Sequence, residues 1–329
     1  MTRRDFLAQS SVAALVPLAP VRGAAAGVGQ ASGTTAPAAA TPARPFTLNL
    51  VCGFIGVGAK TQADVNAFAA RHGFESVEAR GPEIAAMSAD DLKRLRDDLA
   101  AKTLVWGAAG LPNGMRADAA THEQEVKGLP ALAAGLKRAG VTRISTWISP
   151  SSDALPYVKN FRLHVARYTE VAKILDGEGL RLGLEYIGTP SLYRRPRHAF
   201  VHSMAEAKEL FAEIPSKNVG FVLDSWHWYT ASEGEAELLS VTARDVVAVD
   251  LNDAQKNVPL EHLTDGQREL PATTGAIDAG LFLSALARIG YDGPVRAEPF
   301  NAALNALDDD AACAATSQAM RRAVAKMRT

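Results

Sequence analysis

The sequence is poor in cysteine and has no surplus of positive charge, and each shortage excludes a class of protein. Its two cysteines, Cys52 and Cys313, lie far apart and form no zinc-type Cys/His spacing. They could pair under oxidising conditions, but two buried free thiols are the favoured interpretation. With 35 basic and 36 acidic residues, the chain has no positive excess that would bind nucleic acid.

The apolar stretch near the amino terminus is too short to span a bilayer. Arg3 and Arg4 precede it, and it runs from Val12 to Leu18. This arrangement resembles a twin-arginine signal peptide over residues 1–26, which predicts the export machinery as a partner and a periplasmic location. The Ala-, Pro- and Thr-rich stretch 27–44 is then a flexible linker. A disordered amino terminus with chance arginines is the alternative.

Through residues 45–329, short β-branched runs alternate with longer amphipathic stretches, which is the pattern of repeated βα units. The predicted strands are Thr47–Val51, Ser76–Ala79, Leu104–Ala108, Arg143–Ile148, Arg181–Tyr186, Val219–Asp224, Val246–Leu251 and Val295–Glu298. The predicted helices are Gln62–His72, Ala89–Ala101, His122–Ala139, Tyr157–Glu178, Met204–Ile214, Glu235–Thr242, Ala279–Ile289 and Asp308–Lys326. No Gly-x-Gly-x-x-Gly follows the first strand, so a nicotinamide-binding sheet is disfavoured. Eight units in about 285 residues predict an α/β fold, a single (β/α)8 TIM barrel.

Acidic residues lie at the carboxyl ends of four of these strands. Glu185, Asp224 and Glu298 close the fifth, sixth and eighth strands, and Asp250 lies near the end of the seventh. A carboxylate there is costly to bury unless a metal ion or a substrate hydroxyl receives it. Because the carboxyl ends of barrel strands meet at one mouth, the sequence predicts a single site of clustered carboxylates.

Five motifs follow one another in the second half of the chain. They are Gly183-Leu184-Glu185, Leu223-Asp224-Ser225-Trp226-His227, Asp250-Leu251-Asn252-Asp253-Ala254, Arg268-Glu269-Leu270-Pro271 with Gly275, and Gly290-Tyr291-Asp292-Gly293 before Glu298. In order and spacing, they resemble the xylose isomerase-like TIM barrels, which include sugar isomerases and epimerases, inosose dehydratases and endonuclease IV-like proteins. The resemblance covers roughly residues 46–329 and implies an enzyme acting on a small-molecule carbohydrate.

The resemblance also implies roles for the acids. It implies one divalent metal ion held by Glu185, Asp224, the position of Asp250, and Glu298. In the epimerases, the two glutamates act on opposite faces of a sugar carbon, so Glu185 and Glu298 would be the catalytic acid–base pair of an enediolate mechanism. Four carboxylates offer only hard oxygen ligands, which favours Mn²⁺ or Mg²⁺ over zinc.

Asp250 departs from the family pattern, which usually has histidine at this position. Three interpretations are open: Asp250 is itself a ligand, Asp250 accepts a hydrogen bond while Asn252 or Asp253 reaches the metal, or the site has lost its ion. Arg296 points to the same side of its strand as Glu298. It either fills a layer of the barrel interior or offsets excess negative charge in the site.

Four further residues are predicted to meet the substrate. His227 matches the family's Asp-x-x-His and would contact a substrate oxygen, with a loop cap as the alternative. Trp226 would stack on a sugar ring or pack in the core. Arg268 would bind a substrate hydroxyl or carboxylate, or be solvated. Glu78 resembles a family acid that supports the pocket, and structural hydrogen bonding is its favoured role.

Three functions are compatible with these residues. The first is a metal-dependent sugar isomerase or epimerase. The second is a lyase or dehydratase on a keto-sugar, inosose or keto-glycoside, which export favours somewhat because periplasmic sugars arrive as glycosides or oxidised derivatives. The third, from another class, is a non-catalytic sugar-binding barrel. The sequence leaves the oligomeric state open, including a homo-oligomer, and the absence of a basic face disfavours the endonuclease branch.

Overall fold

Eight parallel strands close into a barrel in the computed structural model, which describes residues 44–328. The barrel strands, numbered in chain order, are β1 (Thr47–Leu50), β2 (Ser76–Ala79), β3 (Val105–Gly110), β4 (Arg143–Trp147), β5 (Arg181–Glu185), β6 (Val219–Asp224), β7 (Val246–Leu251) and β8 (Pro294–Ala297). Each strand pairs with the next along the chain, and β8 pairs with β1. The predicted single (β/α)8 barrel is confirmed.

The helices surround the barrel in the order that the sequence predicts. They are α1 (Gln62–His72), α2 (Gly81–Ala85), α3 (Ala89–Ala101), α4 (Ala119–Ala139), α5 (Tyr157–Gly177), α6 (Pro190–Tyr193), α7 (Met204–Ala212), α8 (Ser225–Thr230), α9 (Glu235–Leu239), α10 (Ala279–Arg288), α11 (Ala302–Asn305) and α12 (Asp309–Val324). The sequence did not predict the short helices α2, α6, α8 and α11. These have one or two turns, too few to show an apolar period.

Local capping sets the helix ends. Helix α4 begins three residues earlier than predicted because the Asp118 side chain accepts hydrogen bonds from the backbone N–H groups of Ala120 and Thr121. Gly140 ends the same helix with φ +85°, and Gly290 adopts φ +77° after α10. Glycine commonly takes this left-handed conformation just after a helix because it has no Cβ.

Two apolar layers lie on either side of the barrel wall. The larger packs the outer faces of the strands against the helices and contains both cysteines as buried free thiols, as expected. The smaller consists of Ala108, Val222 and Ala248. Val222 and Ala248 lie two residues before Asp224 and Asp250, so they share the inward face and form a floor directly below the acids.

A two-stranded antiparallel sheet lies beside the mouth, between Ser151–Ser152 and His198–Ala199. It joins the segments that follow β4 and β5. The Phe200 backbone N–H donates to the Pro150 carbonyl at 2.7 Å, and the Phe200 ring packs at a tilt against His164 of α5 with centroids 4.6 Å apart. The basic segment 194–198, which follows α6, is therefore attached to the barrel at this point.

The signal peptide predicted for residues 1–26, and all but the last residue of the predicted linker, lie outside the described residues. Arg44, the last linker residue, contacts both carboxylate oxygens of Glu75 at 2.7 and 2.8 Å. Between residues 44 and 328, no helix combines the length and apolar character that a membrane span requires.

Candidate active site

The four predicted acids come together at the carboxyl-terminal mouth of the barrel. Glu185 is 4% exposed, Glu298 is 3%, and Asp224 and Asp250 are each 1%. Oxygen atoms of Glu185, Asp250 and Glu298 lie within 4.8 Å of one another, and Glu185, Asp224 and His227 form a second such group. The strand ends therefore supply one buried cluster, as the spacing predicts.

Arg296 on β8 pairs with Asp250 on β7. The Arg296 Nε donates to Asp250 Oδ1 at 2.6 Å and its Nη2 donates to Oδ2 at 3.0 Å. Burial alone would lower the pKa of Arg296, but the adjacent Asp250 carboxylate raises it well above its usual value. Of the two interpretations that the sequence allows for Arg296, charge compensation is the one that this geometry supports.

A second arginine, Arg268, lies inside the same cluster and is fully buried. Its Nη1 donates to Asp224 Oδ2 at 2.7 Å and to Glu298 Oε2 at 3.1 Å. Its Nη2 donates to Asp265 Oδ2 at 3.1 Å. The alternative of a solvated loop arginine is therefore wrong, because the loop after β7 folds inward and places this guanidinium between site acids.

Asp265 is a functional residue that the sequence reasoning missed. It is 1% exposed, and its Oδ1 accepts hydrogen bonds from Thr189 Oγ1 at 2.5 Å and from Trp226 Nε1 at 2.8 Å. Trp226 is completely buried, with its ring centroid 5.2 Å from the Arg268 guanidinium carbon. The structure thus places Trp226 in the core, the packing alternative, where it supports Asp265 and Arg268.

His227 on α8 faces the cluster with its Nε2 atom. The Gly188 backbone N–H donates to Nδ1 at 3.2 Å, and a neutral imidazole accepts at only one nitrogen. Nε2 lies 3.1 Å from Arg268 Nη2, which can only donate, so a donor faces each ring nitrogen. Nε2 also lies 3.7 Å from Glu185 Oε1 and 3.6 Å from Asp224 Oδ2, which places the imidazole inside the acid cluster.

The residues after Asp250 support the acids. The Asn252 amide donates to Asp224 Oδ1 at 2.9 Å, and its oxygen accepts from the Glu298 backbone N–H at 3.0 Å. The Asp253 carboxylate accepts backbone N–H groups from the loop 274–277 and from its own neighbour at 2.8–2.9 Å. These bonds engage both side chains, so the geometry disfavours the interpretation in which either one reaches a metal in place of Asp250.

Glu78 at the end of β2 serves a structural contact. Its carboxylate accepts the Cys52 backbone N–H at 3.1 Å. Burial raises the pKa of Glu78, and this hydrogen bond and the charges of Arg80 and Arg296 partly oppose the rise. This is the hydrogen-bonding role favoured from the sequence.

Two phenylalanines that the sequence did not single out lie beside the arginines. The Phe300 ring centroid is 4.9 Å from the Arg268 guanidinium carbon, and the Phe54 centroid is 5.3 Å from that of Arg296. The rings meet edge to face at 6.5 Å. Phe300 has φ +42°, a conformation that is costly for a bulky residue.

The donor set fits a hard divalent cation. The site contains five buried carboxylates, those of Asp265 and the four strand-end acids, against the two guanidiniums of Arg268 and Arg296. A divalent cation would offset two of the three remaining negative charges, and carboxylate oxygens are the ligands that Mg²⁺ and Mn²⁺ prefer.

A family model described as "Xylose isomerase-like TIM barrel" matches residues 67–324. The chain belongs to this family. A solved xylose isomerase domain protein from Alicyclobacillus acidocaldarius is 28% identical, with a TM-score of 0.74 over 85% of this chain and 99% of that one. The structure titled IOLI protein with a binding zinc atom is 21% identical, with a TM-score of 0.68 over 86% and 98%, and shows the shared fold.

A curated relative is similar over a shorter stretch. The inosose isomerase of Bacillus subtilis (strain 168) is 30% identical over 132 residues, which are 40% of this chain and 44% of the relative. The matched stretch is thus less than half of that relative's length. D-psicose 3-epimerase from Clostridium cellulolyticum H10 shares the barrel at 16% identity, with a TM-score of 0.63 over 83% of this chain and 95% of that one.

Proposed function

We propose that the protein is a divalent-metal-dependent sugar isomerase or epimerase that forms an enediolate, with Glu185 and Glu298 as its proton-transfer pair. The placement of the two glutamates supports this proposal most directly. Glu185 lies at the end of β5 and Glu298 directly after β8, both are buried, and their oxygens lie within 4.8 Å of each other. Family membership and the similarity to inosose isomerase support this chemistry.

When bound, a divalent ion would withdraw charge from the substrate's carbonyl and hydroxyl oxygens and so make the adjacent C–H bond more acidic. Glu185 belongs to both groups whose donor atoms lie within 4.8 Å of one another, and together with Asp224, Asp250 and Glu298 it would hold the ion through hard oxygen donors. The oxygen donor set favours Mn²⁺ or Mg²⁺.

Glu185 and Glu298 each carry out one of the two proton transfers. One glutamate of the pair removes the proton from the carbon next to the carbonyl, and the other returns a proton from the opposite face. Arg268, which donates to Glu298 at 3.1 Å, orients that carboxylate. His227, whose Nε2 faces Glu185 and Asp224, would contact a substrate oxygen.

Deuterium exchange tests the proposal directly. The full chain, freed of metal and then supplied with Mn²⁺ in D₂O, is incubated with inosose and with ketohexoses, and the products are followed by NMR. We expect solvent deuterium at a carbon next to the carbonyl, together with an isomer or epimer of unchanged mass apart from that label. Exchange should require the ion and should be lost in Glu185→Gln and Glu298→Gln.

The other functions give different results. Loss of water or of an aglycone after exchange would identify the lyase or dehydratase, which shares the enolisation step. Saturable sugar binding with no exchange in either the wild type or the variants would identify a non-catalytic sugar-binding barrel.

We also propose a periplasmic location, supported by the paired arginines before the short apolar stretch. Replacing Arg3 and Arg4 with lysine should retain the full chain in the cytoplasm, as seen by cell fractionation. Unchanged export of that variant would contradict the twin-arginine route.

A further inference from the structure

The Asp250–Arg296 pair engages both oxygens of one carboxylate at once. The two residues are direct neighbours in the β7–β8 register, and their side chains are 1% and 9% exposed. The fork of Nε and Nη2 meets Oδ1 and Oδ2 at 2.6 and 3.0 Å.

The Arg296 guanidinium is itself held in place. Its Nη1 lies 3.4 Å from Ser145 Oγ, and its plane is adjacent to the Phe54 ring at 5.3 Å. A buried, bidentate guanidinium–carboxylate pair with such support holds its position, because moving either partner would leave an unpaired charge buried in the barrel.

This pairing changes what Asp250 can offer a metal ion. A carboxylate oxygen has two lone-pair sites, and the arginine fork occupies one on each oxygen. The guanidinium charge opposes that of the Asp250 carboxylate, so the pair attracts a cation less than a lone carboxylate would. An oxygen of Asp250 still lies within 4.8 Å of oxygens of Glu185 and Glu298, at the edge of the same cluster.

We propose that Arg296 determines the metal preference of this site. By holding both oxygens of Asp250, it makes that residue a weak, oxygen-only donor. The site therefore binds a hard divalent ion such as Mn²⁺ in preference to Zn²⁺, which usually binds protein sites more tightly. This inference rests on the metal dependence proposed above. A nitrogen donor at the same corner, without the guanidinium, would favour Zn²⁺ instead.

Competition dialysis of the full chain measures the preference without using turnover. Metal-free protein is equilibrated with mixed Mn²⁺ and Zn²⁺, and the bound ions are counted by atomic emission. In the double variant Asp250→His/Arg296→Ser, the ratio of Zn²⁺ to Mn²⁺ affinity should rise at least about tenfold over the wild type, in line with the stronger binding of Zn²⁺ by imidazole. An unchanged ratio would overturn the proposal.

A matched variant controls for folding. Asp250→Asn/Arg296→Met removes the pair without leaving a buried charge, so it should fold and bind Mn²⁺ within about threefold of the wild type if Asp250 is only a weak donor. Loss of Mn²⁺ binding as large as that of Glu185→Gln would show that Asp250 is a full ligand and overturn the proposal. Thermal unfolding with and without Mn²⁺ confirms that each variant is folded.

Failure of this inference is distinguishable from failure of the proposed function. If the wild type binds Mn²⁺ and the ratio shifts as expected but no substrate exchanges deuterium, the isomerase proposal falls and the role of Arg296 stands. If the wild type binds neither ion, both proposals are overturned.

Discussion

Charged side chains have different kinds of partners at the two ends of the barrel. At the amino-terminal end, Arg181 donates to the backbone carbonyls of Arg244 and Val246, and Arg143 pairs with Asp292, whose side chain is 73% exposed. At the carboxyl-terminal end, charges meet other fully buried charges. The arginines at the amino-terminal end thus pair with backbone carbonyls and an exposed carboxylate. At the mouth, carboxylates and guanidiniums pair with one another away from water.

The difference indicates where stability and chemistry reside. A buried ion pair gives little net stability, because desolvation offsets the Coulomb energy. A protein therefore gains little from five buried carboxylates unless a ligand uses them. We expect substitutions at the mouth to change activity most, and substitutions elsewhere to change the free energy of unfolding.

The largest effect should follow from removing either proton-transfer carboxylate. Glu185→Gln or Glu298→Gln should lower kcat by about 10³-fold, since a positioned acid or base contributes roughly 10²–10⁴-fold. The amide keeps the side chain's shape. Initial rates of deuterium exchange measure the loss, and thermal unfolding checks the fold.

A glutamate at the opposite end provides the matched control. Glu75 precedes β2 and contacts Arg44 and the Leu48 backbone N–H. Glu75→Gln should leave kcat unchanged. Wild-type exchange in both mouth variants would show that the mouth is not the catalytic end.

A smaller effect is expected from Asp265, which positions Arg268 and touches no substrate in the proposed mechanism. Asp265→Asn should lower kcat by about tenfold to a hundredfold with KM nearly constant, because one charge-assisted hydrogen bond is worth roughly 1.5–3 kcal/mol. Steady-state kinetics separate the two constants. An equal fall in stability with unchanged kcat would assign Asp265 a purely structural role.

At the amino-terminal end, Arg181→Met should lower the free energy of unfolding by about 1–2 kcal/mol and leave kcat/KM unchanged. The variant removes the donor to two backbone carbonyls but touches no site residue. Urea titration measures the free energy of unfolding, and the rates of deuterium exchange give kcat/KM. Arg162→Met, on the exposed face of α5, should change neither. Reduced turnover in Arg181→Met would mean that the two ends are coupled.

The sequence predicted the barrel and the meeting of its strand-end acids because both depend on local periodicity and on a rule common to all such barrels. It did not predict the burial of Asp265, which depends on contact with Thr189, 76 residues away. The Asp265-x-x-Arg268 spacing was the available signal, yet such a pair on a polar loop is usually solvated. The fork between Asp250 and Arg296 likewise required the register of β7 and β8.

The smallest effect concerns a buried ionisable group outside both ends. His164 on α5 packs against the rings of Phe200 and Tyr168, and its Nδ1–H donates to the Asn160 carbonyl at 2.9 Å. Burial lowers the pKa of His164 to about 4, from 6.5. Between these values, the unfolded chain binds a proton that the folded chain does not, so stability falls as the pH decreases.

From pH 7 to pH 5.5, this linkage should cost about 1 kcal/mol of unfolding free energy, at about 1.4 kcal/mol per pKa unit. His164→Asn, which keeps a donor for the carbonyl, should remove that acid sensitivity, while His262→Asn on an exposed loop should retain it. Urea titrations at the two pH values measure the difference. Because His164 lies on the outer wall of the barrel, its loss should leave the pH profile of deuterium exchange unchanged. A shifted profile would mean that buried titratable groups outside the mouth also control the chemistry.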